Sequence, residues 1–214
     1  MFKRPILCAI TASNAQLSHA DIANAAVRAN VPMVQLRMKG AFSTEMYETA
    51  RTLRAITEGK ALLIVNDSLE VALTVGADGV HLGKEDLPID AARRISPKGF
   101  LIGASVSNAY EAKKAATLGA DYIGAGPVFA TKNKLDKPPI GLARLSEVCG
   151  VVSIPVLAIG GITLENAPQV MQAGASGVAV ISAILDAKHP LEAIRSLMAS
   201  LKRGSLSHSR RGGA

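Results

Sequence analysis

Short apolar runs alternate with amphipathic, helix-forming stretches along nearly the whole chain. Their order predicts strands at 6–12, 33–39, 61–65, 79–82, 101–106, 122–128, 155–160 and 177–184. Helices are predicted between and after them, at 18–30, 43–58, 69–75, 88–95, 108–118, 141–149, 163–173 and 190–201. Boundary residues agree: Ser18, Ser68 and Asn108 are placed to N-cap, Pro88 opens a helix, and Gly76 ends one. Most of the strands are continuously apolar and do not alternate, the pattern of strands buried on both faces of a parallel sheet. Eight strands alternating with eight helices predict the α/β class and a closed (β/α)8 TIM barrel. A doubly wound open sheet is the alternative, disfavoured because no strand carries the edge-type residues such a sheet needs.

A weak internal repeat supports the barrel. Gly76-Ala77-Asp78, Gly119-Ala120-Asp121 and Gly174-Ala175-Ser176 each join a helix to strand four, six or eight. A glycine in the left-handed helix cap explains the first position of each. These turns belong to the face opposite the chemistry and are assigned to stability.

Residues 61–88 organise the rest. The strand 61–65 is followed at once by Asn66-Asp67, and the strand 79–82 by a loop reaching Asp86, so both acids lie past the C-terminal ends of successive strands. Alone, Asp67 reads as a turn residue and Asp86 as a loop acid. Placed together in a parallel βαβ unit, they read as ligands of a hard cation; Mg²⁺ takes one or two carboxylates and completes its shell with water and phosphate.

The other strand ends add anion-binding chemistry. Gln35, Arg37 and Lys39 share one face of strand two, while Val34, Leu36 and Met38 share the other. With the apolar set facing the helices, an amide and two cations point into the barrel mouth, a phosphate-type arrangement; the alternative is a solvated strand end. Ser105 ends strand five, where its hydroxyl binds substrate or satisfies backbone. The long loop 129–140 carries Thr131, Lys132, Asn133 and Lys134, the composition of a phosphate-covering lid or else of an exposed loop. Strand seven ends Gly160-Gly161, and a short helix beginning near Ser182, after Ile181, would offer free N–H groups to a second phosphate. His81, inside strand four, reads as a structural histidine and not as a general base.

Composition narrows the partners. Aromatic residues make up 3% of the chain and Trp is absent, which argues against a base-stacking nucleic-acid platform. The net charge of +7 includes Lys202, Arg203, Arg210 and Arg211 of a C-terminal stretch without acids, leaving +3 elsewhere. The chain therefore reads as one barrel domain, 1–202, and a basic disordered tail, 203–214, with no nucleic acid as partner. Cys8 and Cys149 lack metal or redox spacing and read as reduced, buried thiols of a cytoplasmic protein. The run 5–12 after Lys3-Arg4 reads as the first strand in preference to a signal peptide, and no stretch approaches the ~20 apolar residues of a membrane span. A homo-oligomer is left open.

The motifs VQLRMK (34–39), LIVND (63–67), GADGVHLGKEDLP (76–88), IGAS (102–105), GADYIGAGPVFATKNK (119–134), PPIGL (138–142), IPVLAIGGI (154–162) and AGASGVAVISAI (173–184) occur in order. Jointly they resemble the thiamine-phosphate synthase family, from about residue 6 to 185. The resemblance implies a (β/α)8 barrel and a Mg²⁺-dependent transferase with two small-molecule substrates. It joins the diphosphate of a hydroxymethyl-aminopyrimidine to a thiazole phosphate, giving thiamine phosphate and diphosphate. It further implies that Asp67 and Asp86 hold Mg²⁺. The stretch Gln35, Leu36, Arg37, Met38, Lys39 would bind the pyrimidine diphosphate, with Asn66, Ser105 and Lys134. Thr131, Lys132 and Asn133 would line the thiazole side, while Gly161, Ile181 and Ser182 contact its phosphate. Lys39, Ser105 and Lys134 are the implied catalytic residues. Two positions depart from the family pattern: Asn133 replaces the second Thr of the lid, and Lys84 stands where Gln is common, beside the metal acids. A TenI-like thiazole tautomerase and a non-catalytic thiamine-phosphate-binding barrel are the rival readings. A phosphosugar isomerase would need a base inside the barrel that the sequence does not offer.

Overall fold

The computed structural model describes residues 5–132 and 138–209. Eight parallel strands close into a barrel in sequence order. They are β1 (Ile6–Thr11), β2 (Met33–Leu36), β3 (Leu62–Asn66), β4 (Gly79–Leu82), β5 (Leu101–Val106), β6 (Tyr122–Ala125), β7 (Val156–Ile159) and β8 (Gly177–Val180). The predicted architecture is therefore the observed one. Around it run α1 (His19–Arg28), α2 (Ser43–Thr57), α3 (Leu69–Thr74), α4 (Ile89–Ile95), α5 (Ala109–Thr117), α6 (Gly141–Gly150), α7 (Ala167–Gln172), the short α8 (Ser182–Leu185) and α9 (Pro190–Ser209). Ser18, Ser68 and Asn108 each accept a backbone N–H as N-cap, as predicted, and Ser18 with Asp21 completes a capping box.

Two layers of apolar side chains explain the unbroken apolar runs. Leu7, Ala9, Val34, Leu36, Leu63, Val65 and their equivalents point outward and pack under the helices. Ile6, Cys8, Ile10, Met33, Ile64, Tyr122, Leu157 and Ala179 fill the barrel interior. Alternate residues of one strand thus serve two different cores. Cys8 is one of the interior group and its burial pushes the thiol up to about 12. Cys149 is only half-buried, on the helix layer, so the expectation of two buried thiols holds for Cys8 alone.

The repeat seen in the sequence has a mechanical basis. Asp78 Oδ2 accepts the Leu63 N–H at 2.7 Å and an Arg54 N–H at 2.8 Å. Asp121 Oδ2 accepts the Ile102 N–H at 2.7 Å and also pairs with Arg93. Ser176 Oγ accepts the Val156 N–H at 3.3 Å. Each side chain at the start of an even strand therefore ties down the start of the preceding odd strand. The structure adds a fourth member: Asn30-Val31-Pro32 leads into β2, and Asn30 takes the left-handed conformation (φ 56°) that Gly76, Gly119 and Gly174 take in the other three. Pro32 has neither an N–H nor a side-chain acceptor, which hides this copy from a sequence comparison.

Several boundaries depart from expectation. Strands β2, β6 and β8 are shorter than predicted, ending at Leu36, Ala125 and Val180, so the polar residues after them stand in the loops of the barrel mouth. The last helix continues to Ser209, into the segment expected to be a disordered tail. Gly204 is the reason: a Cβ there would lie 3.0 Å from Met171 Cβ and Pro168 Cα, so its absence lets α9 stay seated on α7. Residues 210–214, with Arg210 and Arg211, lie outside the described residues.

Candidate active site

The site is built where the predicted strand ends converge. Asp67 follows β3 in a left-handed conformation (φ 68°), its N–H donating to the His81 carbonyl on β4 at 2.8 Å. That conformation swings the carboxylate out of the strand direction and toward the neighbouring loop. Asp86 is held in that loop by accepting the Gly83 N–H at 2.6 Å. The two carboxyl groups meet and hydrogen-bond one another. Asp67 is consequently raised to about 6, by partial desolvation first and then by the hydrogen bond and repulsion from Asp86, against the opposing pull of Lys39 and Arg37. Two acids and two cations thus share one field.

Gln35 points inward on β2 and is buried, as are Asn66 on β3 and His81 on β4. His81 lies between the Tyr122 hydroxyl, 3.2 Å from Nδ1, and the Ser105 hydroxyl, 2.9 Å from Nε2. Burial holds the Tyr122 phenol well above its ordinary range, with Gln35 acting in the opposite direction. Space for this row comes from glycine. A Cβ at Gly103 would overlap the Tyr122 ring and sit 2.5 Å from His81 Nδ1, and one at Gly124 would lie 2.9 Å from His81 Cε1.

Some expected site residues are placed differently. Leu36 is fully buried in the outer core and Met38 packs against it, so neither side chain faces the mouth; strand alternation sends them to the helices. Lys84 turns away from the two acids and pairs with Glu111 at 2.6 Å. Thr131 and Lys132 begin the β6–α6 loop, Lys132 exposed, while Asn133 and Lys134 lie outside the described residues. The loop's root is fixed: Val128 and Phe129 donate to the Ile159 and Gly160 carbonyls at 2.8 and 3.1 Å. Gly161 (φ 65°) has its missing Cβ directed at Phe129 and the Ala130 carbonyl, so this glycine also serves loop packing. Ile181 caps the interior core and Ser182 opens α8.

Beside Arg37 and Lys39 a cleft of about 390 Å³ extends toward Ser13, His19 and Glu45. His19 Nδ1 lies 2.7 Å from the Thr11 hydroxyl, and burial lowers its pKa against the opposing charge of Glu45. A hollow of about 500 Å³ on the opposite face, near Asp78 and Lys98, is larger. It lies over the strand starts, far from the convergent polar groups. Sequence reasoning missed Tyr122, Glu111 and His19. The signal for Tyr122 was present in Gly103 and Gly124, inward positions of adjacent strands left without side chains.

The acid pair fits a divalent cation. Among the described residues no three or more His, Cys, Asp or Glu side chains cluster as a metal cage. Two facing carboxyl groups, with phosphate-type cations beside them, suit a Mg²⁺ ion that draws its remaining ligands from water and substrate.

The sequence model of the thiamine monophosphate synthase family matches residues 7–184. A thiamine-phosphate synthase of Methanoculleus marisnigri is 49% identical over 182 residues, 84% of this chain and 86% of the relative. One of Pyrococcus abyssi is 48% identical over 177 residues, 81% and 85% of the two chains. The solved thiamine phosphate pyrophosphorylase of Pyrococcus furiosus superposes with a TM-score of 0.86 at 41% identity, covering 93% of this chain and 96% of that one. A family model matched over residues 7–184, with relatives nearly half identical across more than four-fifths of the chain, means that the chain belongs to the thiamine monophosphate synthase family.

Proposed function

We propose that this protein is a thiamine-phosphate synthase, condensing an aminopyrimidine methyl diphosphate with a thiazole phosphate to give thiamine phosphate and diphosphate. The observation that carries the reading is the meeting of Asp67 and Asp86 beside Arg37 and Lys39, with the buried Gln35 and the half-buried Ser105 nearby. Mg²⁺ held by the two aspartates would supply charge neutralisation of the leaving diphosphate.

The chain's own groups account for the remainder. Arg37 and Lys39 bind the diphosphate oxygens and stabilise the charge that builds there as the carbon–oxygen bond breaks. The ring amine donates electrons to the methylene cation left behind, so no protein base is required, consistent with a histidine engaged within the barrel. Gln35 orients the pyrimidine ring. Asn66, buried at the end of β3, contacts the diphosphate beside Arg37 and Lys39. The thiazole nitrogen then forms the new carbon–nitrogen bond, its phosphate resting on the backbone near Gly161, Ile181 and Ser182, with Thr131 and Lys132 on the thiazole side; Asn133 and Lys134 lie outside the described residues. No helix among the described residues is long and apolar enough to cross a membrane. We place the enzyme in the cytoplasm on the strength of its thiols.

The test is a turnover assay with both phosphorylated precursors, with Mg²⁺ and with chelator, following diphosphate and thiamine phosphate. Mg²⁺-dependent appearance of both products is the expected result. Binding of either precursor without turnover would replace the reading with a non-catalytic binding barrel.

A further inference from the structure

The loop that leaves β7 has its backbone fixed from two sides. On the β6 side, Val128 and Phe129 donate their N–H groups to the Ile159 and Gly160 carbonyls at 2.8 and 3.1 Å. On the α7 side, Asn166 Nδ2 donates to the Gly161 carbonyl at 2.8 Å. Gly160 (φ 93°) and Gly161 (φ 65°) bear no side chain, and a Cβ on either would strike the β6–α6 loop, 2.5 Å from Pro127 Cβ or 2.5 Å from the Ala130 carbonyl oxygen. Peptide groups alone form this part of the mouth.

Those bonds decide where the neighbouring N–H groups point, because the carbonyl and the N–H of a trans peptide face opposite ways. The Gly160 carbonyl is turned to Phe129, so the Gly161 N–H is turned from β6 toward β8, the strand on the other side of β7. The Gly161 carbonyl is held by Asn166 at the start of α7, so the Ile162 N–H is turned away from the helix layer and over the strand ends. Neither N–H has an acceptor among the described residues. Two successive backbone donors aimed at one place make an anion-binding hollow.

We infer that Asn166 is a positioning residue for the thiazole phosphate, holding the Gly161–Ile162 peptide in the orientation that aims the Ile162 N–H, beside that of Gly161, at the phosphate. The identity of the phosphate carrier rests on the synthase reading. Glycine at 161 offers little resistance to a flip of the peptide that follows it, and a flipped peptide would present a carbonyl oxygen to the anion. Asn166 opposes that flip with an amide that cannot itself turn over. Its Oδ1 accepts the Thr163 N–H at 2.8 Å while Nδ2 serves Gly161, so a half-turn would set amine against N–H and oxygen against carbonyl. Thr163 Oγ accepts the Asn166 N–H in return, at 3.4 Å, which ties the residue to the turn that opens α7.

Substitutions separate the two bonds of the side chain. Alanine removes both, aspartate keeps the acceptor for Thr163 and loses the donor for Gly161, and glutamine keeps both kinds of group. By titration calorimetry, Asn166→Ala should bind thiazole phosphate about 10-fold more weakly, near the lower end of what one hydrogen bond to a charged group contributes. Its affinity for the unphosphorylated thiazole alcohol and its KM for the pyrimidine diphosphate should stay within about 2-fold of wild type. Asn166→Gln should recover part of the loss, whereas Asn166→Asp should not, although its urea midpoint stays near that of wild type. A residue that merely shaped the turn would affect phosphate and alcohol equally, or be replaced by aspartate without loss of affinity; either result overturns the inference. Wild-type protein labelled with ¹⁵N at Gly and Ile supplies a test independent of how any variant folds. Thiazole phosphate should shift the Gly161 and Ile162 amide protons downfield, and unmoved amides overturn the inference even if the protein turns over. Amides that move in a protein without turnover would remove the synthase reading and leave the aim of the two donors standing.

Discussion

Lys84 and Glu111 form an ion pair of 2.6 Å that draws the lysine away from the carboxylates of Asp67 and Asp86. Glu111 is itself fixed, accepting the Ser107 N–H at 2.8 Å and the Ser107 hydroxyl at 3.0 Å. Lys84, two residues before Asp86, is thus tied to α5. Lys84→Gln should leave the Mg²⁺ concentration for half-maximal turnover within about 2-fold of wild type. The Lys84 side chain is 55% exposed, so the thermal midpoint should hardly move, in keeping with roughly 0–1 kcal/mol for surface pairs. A large loss of Mg²⁺ response would mean that the lysine serves the diphosphate.

Asp67 is under tension in the metal-free protein. Its folded-state value of about 6 lies above the ordinary 3.8, so folding takes up a proton between those values and the ionised form costs stability above about 6. Asparagine removes that cost and also suits the left-handed backbone at this position (φ 68°). Metal-free Asp67→Asn should therefore unfold at a higher temperature than metal-free wild type at pH 8. The part of the gain due to charge should vanish below pH 4, where both states of Asp67 are protonated. The same variant should lose Mg²⁺-dependent turnover and the stabilisation that added Mg²⁺ gives the wild type. Scanning calorimetry at several pH values, with and without Mg²⁺, checks both halves. Equal stability of the two proteins at pH 8 would contradict the assigned tension.

The two glycines around His81 should differ in their tolerance of alanine. At Gly103 the added methyl collides with Tyr122 and comes within 2.5 Å of His81 Nδ1, whereas at Gly124 the nearest atom is His81 Cε1 at 2.9 Å. Overpacking of this kind costs about 1–3 kcal/mol. Gly103→Ala should fall at or above the top of that range and Gly124→Ala nearer its foot, read from urea unfolding midpoints. The reverse order would mean that the Tyr122 ring yields more easily than the imidazole.

The parallel sheet was legible in the chain because strands buried on both faces leave unbroken apolar runs, and its closure into a barrel because eight strands alternate with eight helices and none carries edge-type residues. Asp67, Asp86, Gln35 and Arg37 are nominated for a related reason: in this architecture the loops after the strands form the mouth, so position alone points to them. Leu36 and Met38 send their side chains outward, as alternation along 34–39 implies, so only their backbone is available to the mouth. Tyr122 was hidden because an aromatic at the start of an apolar strand looks like core, and core is where most of it lies; only its hydroxyl belongs to the site. Lys84 misled because its partner Glu111 is distant in sequence, and no local pattern announces such a pair. The tail misled because small and basic residues signal disorder, whereas Gly204 serves as a contact between helices.

The strand-start repeat predicts a separation of stability from activity. Asp78 and Asp121 each satisfy a strand N–H and an arginine on the face opposite the mouth, while Ser176 satisfies only a strand N–H, through a 3.3 Å bond. Removing either carboxylate leaves a half-buried guanidinium without its counter-charge and an amide without its acceptor. Arg54 is the harsher case, since its Nε already lacks a partner. Asp78→Ala should therefore cost about 2–4 kcal/mol, toward the range for breaking a buried pair. Ser176→Ala should cost about 1 kcal/mol, the worth of one neutral hydrogen bond. Because these groups sit at the far end of the strands from Asp67 and Gln35, kcat and both KM values of the folded variants should stay within about 2-fold of wild type, as expected for the stability face of such barrels. Urea unfolding paired with steady-state kinetics makes the comparison. An activity loss in Asp78→Ala under conditions where it remains folded would show that strain at the strand starts reaches the mouth through β3 and β4.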